Sequence, residues 1–385
     1  MKVIKNATLY APKFQGKKDI LIEGTMIRKI EDHIDEYDNI PEVEKLDVNG
    51  KKVVPGYIDI HEHLTGGGGE KGPASRCPEA QAGILFRSGV TTVVGMLGTD
   101  GISRSLENLL VKARAFKEEG LTCYILTGAY GYPPVTLLGD PERDIMLIDE
   151  MIGVKTAASD HRSSNITGEE LIRLGTQARR GGLLAGKAGF VTIHMGDGKM
   201  GLEPVFYAIE NSDIPIQIFL PTHMGRNTRL FEDGLRYMEM GGFIDITASV
   251  SEEENQHAAE LVLRGLNSKN GEDHVTLSSD GFGSCPRFNE KMECVGLTYS
   301  TPECIHRLLK ILVQEHGVSL EKALKPLTVN PAKLLQISDK KGRIAPGAEA
   351  DLIVYDDKLE IESVFAKGKT AVWEKKVFMK GTFEE

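Results

Sequence analysis

From residue 57 to residue 281 the chain repeats one pattern, a short apolar run followed by a segment of helix length. The runs are "YIDIH" (57–61), "VTTVVGML" (90–97), "CYILTGAY" (123–130), "IGVK" (152–155), "VTIHM" (191–195), "IQIFLPTH" (216–223), "FIDIT" (243–247) and "VTLSSDG" (275–281). Short apolar runs of this kind fit strands buried on both faces, as in parallel sheets, where helical crossovers cover the sheet. The segments "PEAQAGILFRSG", "SLENLLVKARAFKEEG", "GEELIRLGTQARRGG" and "RLFEDGLRYMEMGG" place apolar residues at helical spacing. A glycine closes each where a C-terminal cap belongs. Eight such units in about 280 residues predict an α/β fold, a (β/α)8 TIM barrel. A doubly wound open sheet is the alternative, but no G-x-G-x-x-G turn follows the first run.

The flanks differ from this middle. "MKVIKNATLY" and "KDILIEGTMIRKI" near the start, and "ADLIVYD" and "IESVFAKGKTAVWEKK" near the end, read as short β pieces with Gly and Asn turns between them. Residues 1–55 and 344–385 are expected to form one small β-sandwich domain from both termini, leaving residues 56–343 to the barrel.

A barrel of this kind carries its chemistry at the C-terminal ends of its strands. There the chain sets His61 and His63, Lys155, His194, His223 and Asp280. Side chains two apart on a strand share a face, so His61 and His63 can reach one ion while Glu62 points away. Lys155 closes an apolar run, where an unpaired ammonium is costly. It is either a lysine reaching to the rim or one neutralised by reaction with CO2. Asp280 is a metal ligand, a general base, or a turn former before Gly281. The other histidines (33, 161, 257, 274, 306 and 316) lie off this rim and read as surface or packing residues.

The bulk properties narrow the function classes. A net charge of −10 speaks against nucleic acid or an anionic membrane as partner. No apolar run approaches the roughly 20 residues that span a bilayer, and the N-terminus has no signal-peptide pattern. Five scattered cysteines without a C-x-x-C pair point to a reducing, cytoplasmic setting.

These residues resemble the amidohydrolase superfamily, whose pattern is H-x-H on the first strand, Lys on the fourth, His on the fifth and sixth and Asp on the eighth. Within it the chain is most similar to the isoaspartyl (β-aspartyl) dipeptidases. The likeness rests on "HLTGGGGEKGP", "GVTTVVGMLGTDGISR", "LTGAYGYP", "IGVKTAASDHRS", "HMGDGK", "LPTHMGRN" and "LSSDGFGS", and covers essentially the whole chain. It implies two zinc ions, one on His61, His63 and Asp280 and the other on His194 and His223. A hydroxide and Lys155, carboxylated by CO2 to N6-carboxylysine, would bridge them. Asp280 would be general base and then acid, and Tyr130 the donor to the developing oxyanion. The substrate would be a small β-aspartyl dipeptide with a free amine, paired with Glu70. Its α-carboxylate would meet backbone N–H groups near Gly68 together with Thr99 and Ser284. Arg162 and Arg226 would take the leaving residue's carboxylate. Arg162 could instead pair with Asp160, Arg226 could be a surface residue at a helix start, and Tyr132 competes with Tyr130. The resemblance also implies a homo-oligomer, an octamer. A cyclic-amide hydrolase of the dihydroorotase or hydantoinase kind, and a non-catalytic binding relative, are the competing readings.

Overall fold

The computed structural model describes residues 1–291 and 293–384; Glu385, at the end of the expected β region, lies outside them. All eight runs form strands: β1 (Tyr57–Glu62), β2 (Val90–Gly95), β3 (Thr122–Gly128), β4 (Met151–Ala158), β5 (Phe190–Met195), β6 (Phe219–Thr222), β7 (Ile244–Thr247) and β8 (Val275–Ser278). Strands β1 to β6 pair in chain order in one parallel sheet, and β7 pairs with β8. The Met224 N–H donates to Asp245 O (3.1 Å), carrying the curl from β6 to β7. The His63 N–H donates to Gly281 O (2.8 Å), bringing the end of β8 back beside β1. The parallel strands therefore curl round in a manner consistent with a (β/α)8 barrel.

Helices cross between the strands: α1 (Ala82–Arg87), α2 (Leu106–Glu118), α3 (Pro141–Leu147), α4 (Gly168–Ala185), α5 (Glu203–Glu210), α6 (Thr228–Glu239) and α7 (Glu252–Asn267). Several begin at side chains that satisfy orphan backbone donors, which fixes where each crossover starts. Thr167 and Glu170 close a reciprocal capping box on α4, and Ser105, Asp140, Asn227 and Ser251 cap α2, α3, α6 and α7. Helix α4 does not stop at Gly181-Gly182 but runs on to Gly186, which takes the left-handed cap conformation at φ 65°. The inner glycines serve packing instead: a Cβ on Gly182 would lie 2.5 Å from Gly189 Cα. Apolar residues such as Leu109, Phe116, Leu174 and Phe231 press the helices onto the strands. Each such buried side chain contributes roughly 1.5–3 kcal/mol.

The terminal segments meet in one hydrogen-bonded sheet of nine strands. Lys52–Pro55 pairs antiparallel with Leu352–Tyr355, Pro55 opposite Leu352, so the two ends of the chain join just before β1 begins. Ile4, Leu9, Ile20, Val53, Leu352, Val354 and Phe365 form the core beneath it.

Candidate active site

The polar residues that end the strands converge. His61 and His63 flank Glu62, and the three alternate as a strand requires: Glu62 turns towards Ser279, whose hydroxyl donates to it (3.2 Å). The His63 Nε2 lies 3.0 Å from Asp280 Oδ1 and the His61 Nε2 lies 3.4 Å from the same oxygen. Ligand atoms of His61, His63 and Asp280 all fall within 4.8 Å of one another, a set that could hold a metal ion. The rings of His61 and His223 are 5.0 Å apart and those of His194 and His223 are 4.5 Å apart. Two of these residues sit on left-handed backbone, His223 at φ 63° and Asp280 at φ 50°, the kind of local strain that collects at functional sites.

Lys155 departs from expectation in place though not in company. It lies in the middle of β4, three residues before Ala158, and is wholly buried. Its Nζ is 3.1 Å from His61 Nε2. Burial pushes its pKa down to about 7, against the weaker upward pull of Asp280 and Asp245. Burial likewise lowers His61 and His223 well below the ordinary imidazole range and His194 to about 3. Imidazoles held neutral in this way are in their metal-binding form. For Asp280, burial is the largest influence and acts upward, but the combined pull of His61, His63 and Lys155 holds the carboxylate below its usual range. The buried His223 Nε2 has no hydrogen-bond partner, while its Nδ1 bonds to Thr247 Oγ1 (2.7 Å). A pocket of neutral imidazoles, a carboxylate and an orphaned ring nitrogen suits divalent ions such as zinc.

Glu70 follows the glycine run, with its side chain buried. Its Oε1 accepts from Ser284 Oγ (2.7 Å) and Thr99 Oγ1 (3.3 Å), with Arg162 Nη1 at 3.4 Å. Its Oε2 has no partner. The run needs glycine for its own packing: Gly68 has φ 86°, and a Cβ there would lie 2.5 Å from Ser75 O. Arg104 clamps the same loop through the carbonyls of Thr65 and Cys77.

Tyr130 is buried, with its hydroxyl 2.7 Å from His194 Nδ1. Arg162 folds onto Asp160 through Nε (2.9 Å) and Nη2 (2.8 Å), and its guanidinium stands 5.5 Å from the Tyr130 ring centre. Arg226 stands exposed just before the start of α6, its Nη1 4.0 Å from Asp197.

Two acids outside the strand-end pattern also belong to the site. Asp245, buried on β7, accepts from Thr222, Ser278 and Thr276, and Thr222 in turn reaches His61 Nδ1 (3.3 Å). Asp160 bonds His194 Nε2 (2.9 Å). The acid inside the apolar run "FIDIT" was the available signal for the first. For Asp160, nothing in the sequence indicates a partner on another strand.

Comparison with known proteins agrees with this geometry. The profile of the Amidohydrolase family matches residues 224–383. The β-aspartyl dipeptidase of Fervidobacterium islandicum AW-1, solved in complex with β-Asp-Leu, is 44% identical over 98% of each chain, with a TM-score of 0.91. The D-hydantoinase of a Thermus species shares the fold at 15% identity, with a TM-score of 0.71 over 100% of this chain and 98% of its own. Among curated proteins, the dihydroorotase of Lactobacillus gasseri is 25% identical, covering 95% of this chain and 92% of its own. The chain belongs to the amidohydrolase family, on its β-aspartyl dipeptidase branch. It is accordingly a hydrolytic enzyme.

Proposed function

We propose that the protein is a binuclear zinc dipeptidase that hydrolyses β-aspartyl dipeptides bearing a free amine. The observation that carries this reading is Glu70, a buried carboxylate whose Oε2 has no partner, beside a cluster of neutral imidazoles. His61, His63 and Asp280 would hold one ion and His194 and His223 the other, with Lys155 between them. With burial holding its pKa down to about 7, a large fraction of the Lys155 amine is uncharged near neutral pH and can add to CO2, forming an N–C bond and releasing one proton to solvent. The carboxylate so made would offer the ions an oxygen ligand. When bound, the ions would supply Lewis acidity towards the scissile carbonyl and the attacking water.

The chain's own groups do the rest. Glu70 pairs with the substrate ammonium, and Thr99 and Ser284 hold Glu70 in place while bordering the α-carboxylate with the loop at Gly68. Arg226, and Arg162 from its seat on Asp160, face the leaving residue's carboxylate. Tyr130 donates to the oxygen of the carbonyl as it gains charge. Asp280 takes the proton from the attacking water and hands it to the departing amine. The same reading makes residues 56–343 a full (β/α)8 barrel and residues 1–55 with 344–385 a terminal β-sandwich. It includes a homo-oligomer, an octamer, in the cytoplasm. No described helix is long and apolar enough to cross a membrane.

The curated dihydroorotases favour a second reading, cyclic-amide hydrolysis on the same frame. Turnover of β-Asp-Leu, α-Asp-Leu and dihydroorotate with zinc supplied separates the two. The dipeptidase reading expects β-Asp-Leu to be cleaved far faster than the others; dihydroorotate as the best substrate would overturn it.

A further inference from the structure

Asp160 is nearly inaccessible, and all four hydrogen bonds of its carboxylate go to donors in this site. Its Oδ1 accepts from the Arg162 backbone N–H (2.8 Å) and from Arg162 Nε (2.9 Å). Its Oδ2 accepts from Arg162 Nη2 (2.8 Å) and faces His194 Nε2 (2.9 Å). Its backbone is wedged against Gly196, where a Cβ would lie 2.5 Å from Asp160 Cα. A carboxylate can only accept, so the His194 proton sits on Nε2 and Nδ1 carries the lone pair. Tyr130 marks that lone pair with its hydroxyl, 2.7 Å from Nδ1.

We propose that Asp160 is the positioning residue that decides which nitrogen of His194 is offered to the metal, and that it holds Arg162 opposite Glu70 by the same carboxylate. The inference rests on the binuclear reading above. Its reasoning is that of an outer carboxylate orienting a metal-bound imidazole, where loss costs roughly 10- to 100-fold in metal affinity or activity. One residue thereby joins the metal pocket to the amine pocket: Asp160 touches His194 on one side, and Arg162 reaches Glu70 Oε1 at 3.4 Å on the other.

The informative variant is Asp160→Asn. The amide oxygen is expected at the Oδ1 position, where two Arg162 donors await it, which turns the NH2 group towards His194 Nε2. The imidazole must then accept at Nε2 and carry its proton on Nδ1, the nitrogen meant for the metal. With folding checked by thermal melting, zinc retention against a chelator is expected to fall about 10- to 100-fold. The visible spectrum of the cobalt-loaded protein should change, and kcat on β-Asp-Leu should fall more than KM rises. Arg162→Gln, which leaves the Asp160–His194 bond, should raise KM and retain zinc like the parent. Wild-type zinc retention and cobalt spectrum in Asp160→Asn would overturn the proposal, as would equal zinc loss in Arg162→Gln. A direct check needs no variant that must fold: 15N shifts of the His194 ring in metal-free wild type should report protonation at Nε2, and protonation at Nδ1 would refute it. If the wild type binds no zinc, the binuclear reading fails, while the ring-nitrogen shifts still judge this inference separately.

Discussion

Replacing Glu70 with Gln tests the amine pocket at a single atom. The Glu70 side chain is 6% exposed, so its charge is largely desolvated. Its Oε1 is held by Ser284, Thr99 and Arg162, so the unpartnered Oε2 is the atom left to meet an incoming ammonium. Glutamine keeps the volume but sets an NH2 donor against an NH3+ donor, or surrenders the three donors at Oε1. Breaking a buried charged pair costs about 3–5 kcal/mol. At 1.36 kcal/mol per decade this is a fall in kcat/KM on β-Asp-Leu from roughly 150-fold to a few thousand-fold. The assay should include the N-acetylated dipeptide. The wild type is expected to lose a similar factor on acetylation, and the variant should lose little more, because both changes remove the same contact. Retention of activity within about threefold in Glu70→Gln would refute the reasoning and favour cyclic-amide hydrolysis.

Tyr130→Phe should lower kcat by roughly 100- to 1,000-fold with KM little changed, since an oxyanion donor acts in the transition state; an unchanged kcat in steady-state assays would remove Tyr130 from the chemistry. Lys155→Ala should lose zinc and activity together, with partial recovery in millimolar acetate or propionate, and two tightly bound zincs in the variant by metal analysis would rule out the bridging role. His306 is buried between Tyr57 and the Leu359 carbonyl, and burial lowers its pKa to about 4. As pH falls from about 6.5 towards 4, the unfolded chain takes up a proton that the folded one refuses. Stability should therefore drop by up to about 1.4 kcal/mol per pH unit in that window, a slope that urea titrations should find flattened in His306→Gln.

Much of this architecture is legible along the chain because strand runs and metal-competent residues are local patterns. "YIDIH" and "VTIHM" form β1 and β5 with boundaries shifted by a residue, since short, largely apolar runs rich in β-branched residues and bounded by helix-length segments fit buried strands. Position within a strand is less legible. Lys155 reads as the end of its run because "TAAS" has weak apolar character, yet β4 continues to Ala158 by pairing with β5, while its pairing with β3 ends at Lys155. Contacts between strands are not legible at all from one sequence. Asp160 and His194 are 34 residues apart and meet because β4 lies beside β5; Glu70 and Ser284 are 214 apart, and the curl of the sheet brings them together. The glycine run shows the same limit. Its oddity is plain in the sequence, but its cause, the Ser75 carbonyl beneath Gly68, belongs to the folded loop.

The pairing of Lys52–Pro55 with Leu352–Tyr355 has a consequence for the order in which the molecule is made. The strand bearing His61 and His63 leaves directly from this junction, and its root is anchored by residues synthesised some three hundred positions later. Closing so long a loop carries an entropic cost that must be met before the pairing contributes anything. A nascent chain can pair the first strand with β2, and its root with Thr8 and Leu9, as they emerge, but the partner Leu352–Tyr355 arrives only when synthesis is almost complete. The His61, His63 and Asp280 pocket is therefore complete only after residue 280 has emerged, and the root of its first strand gains its last partner later still.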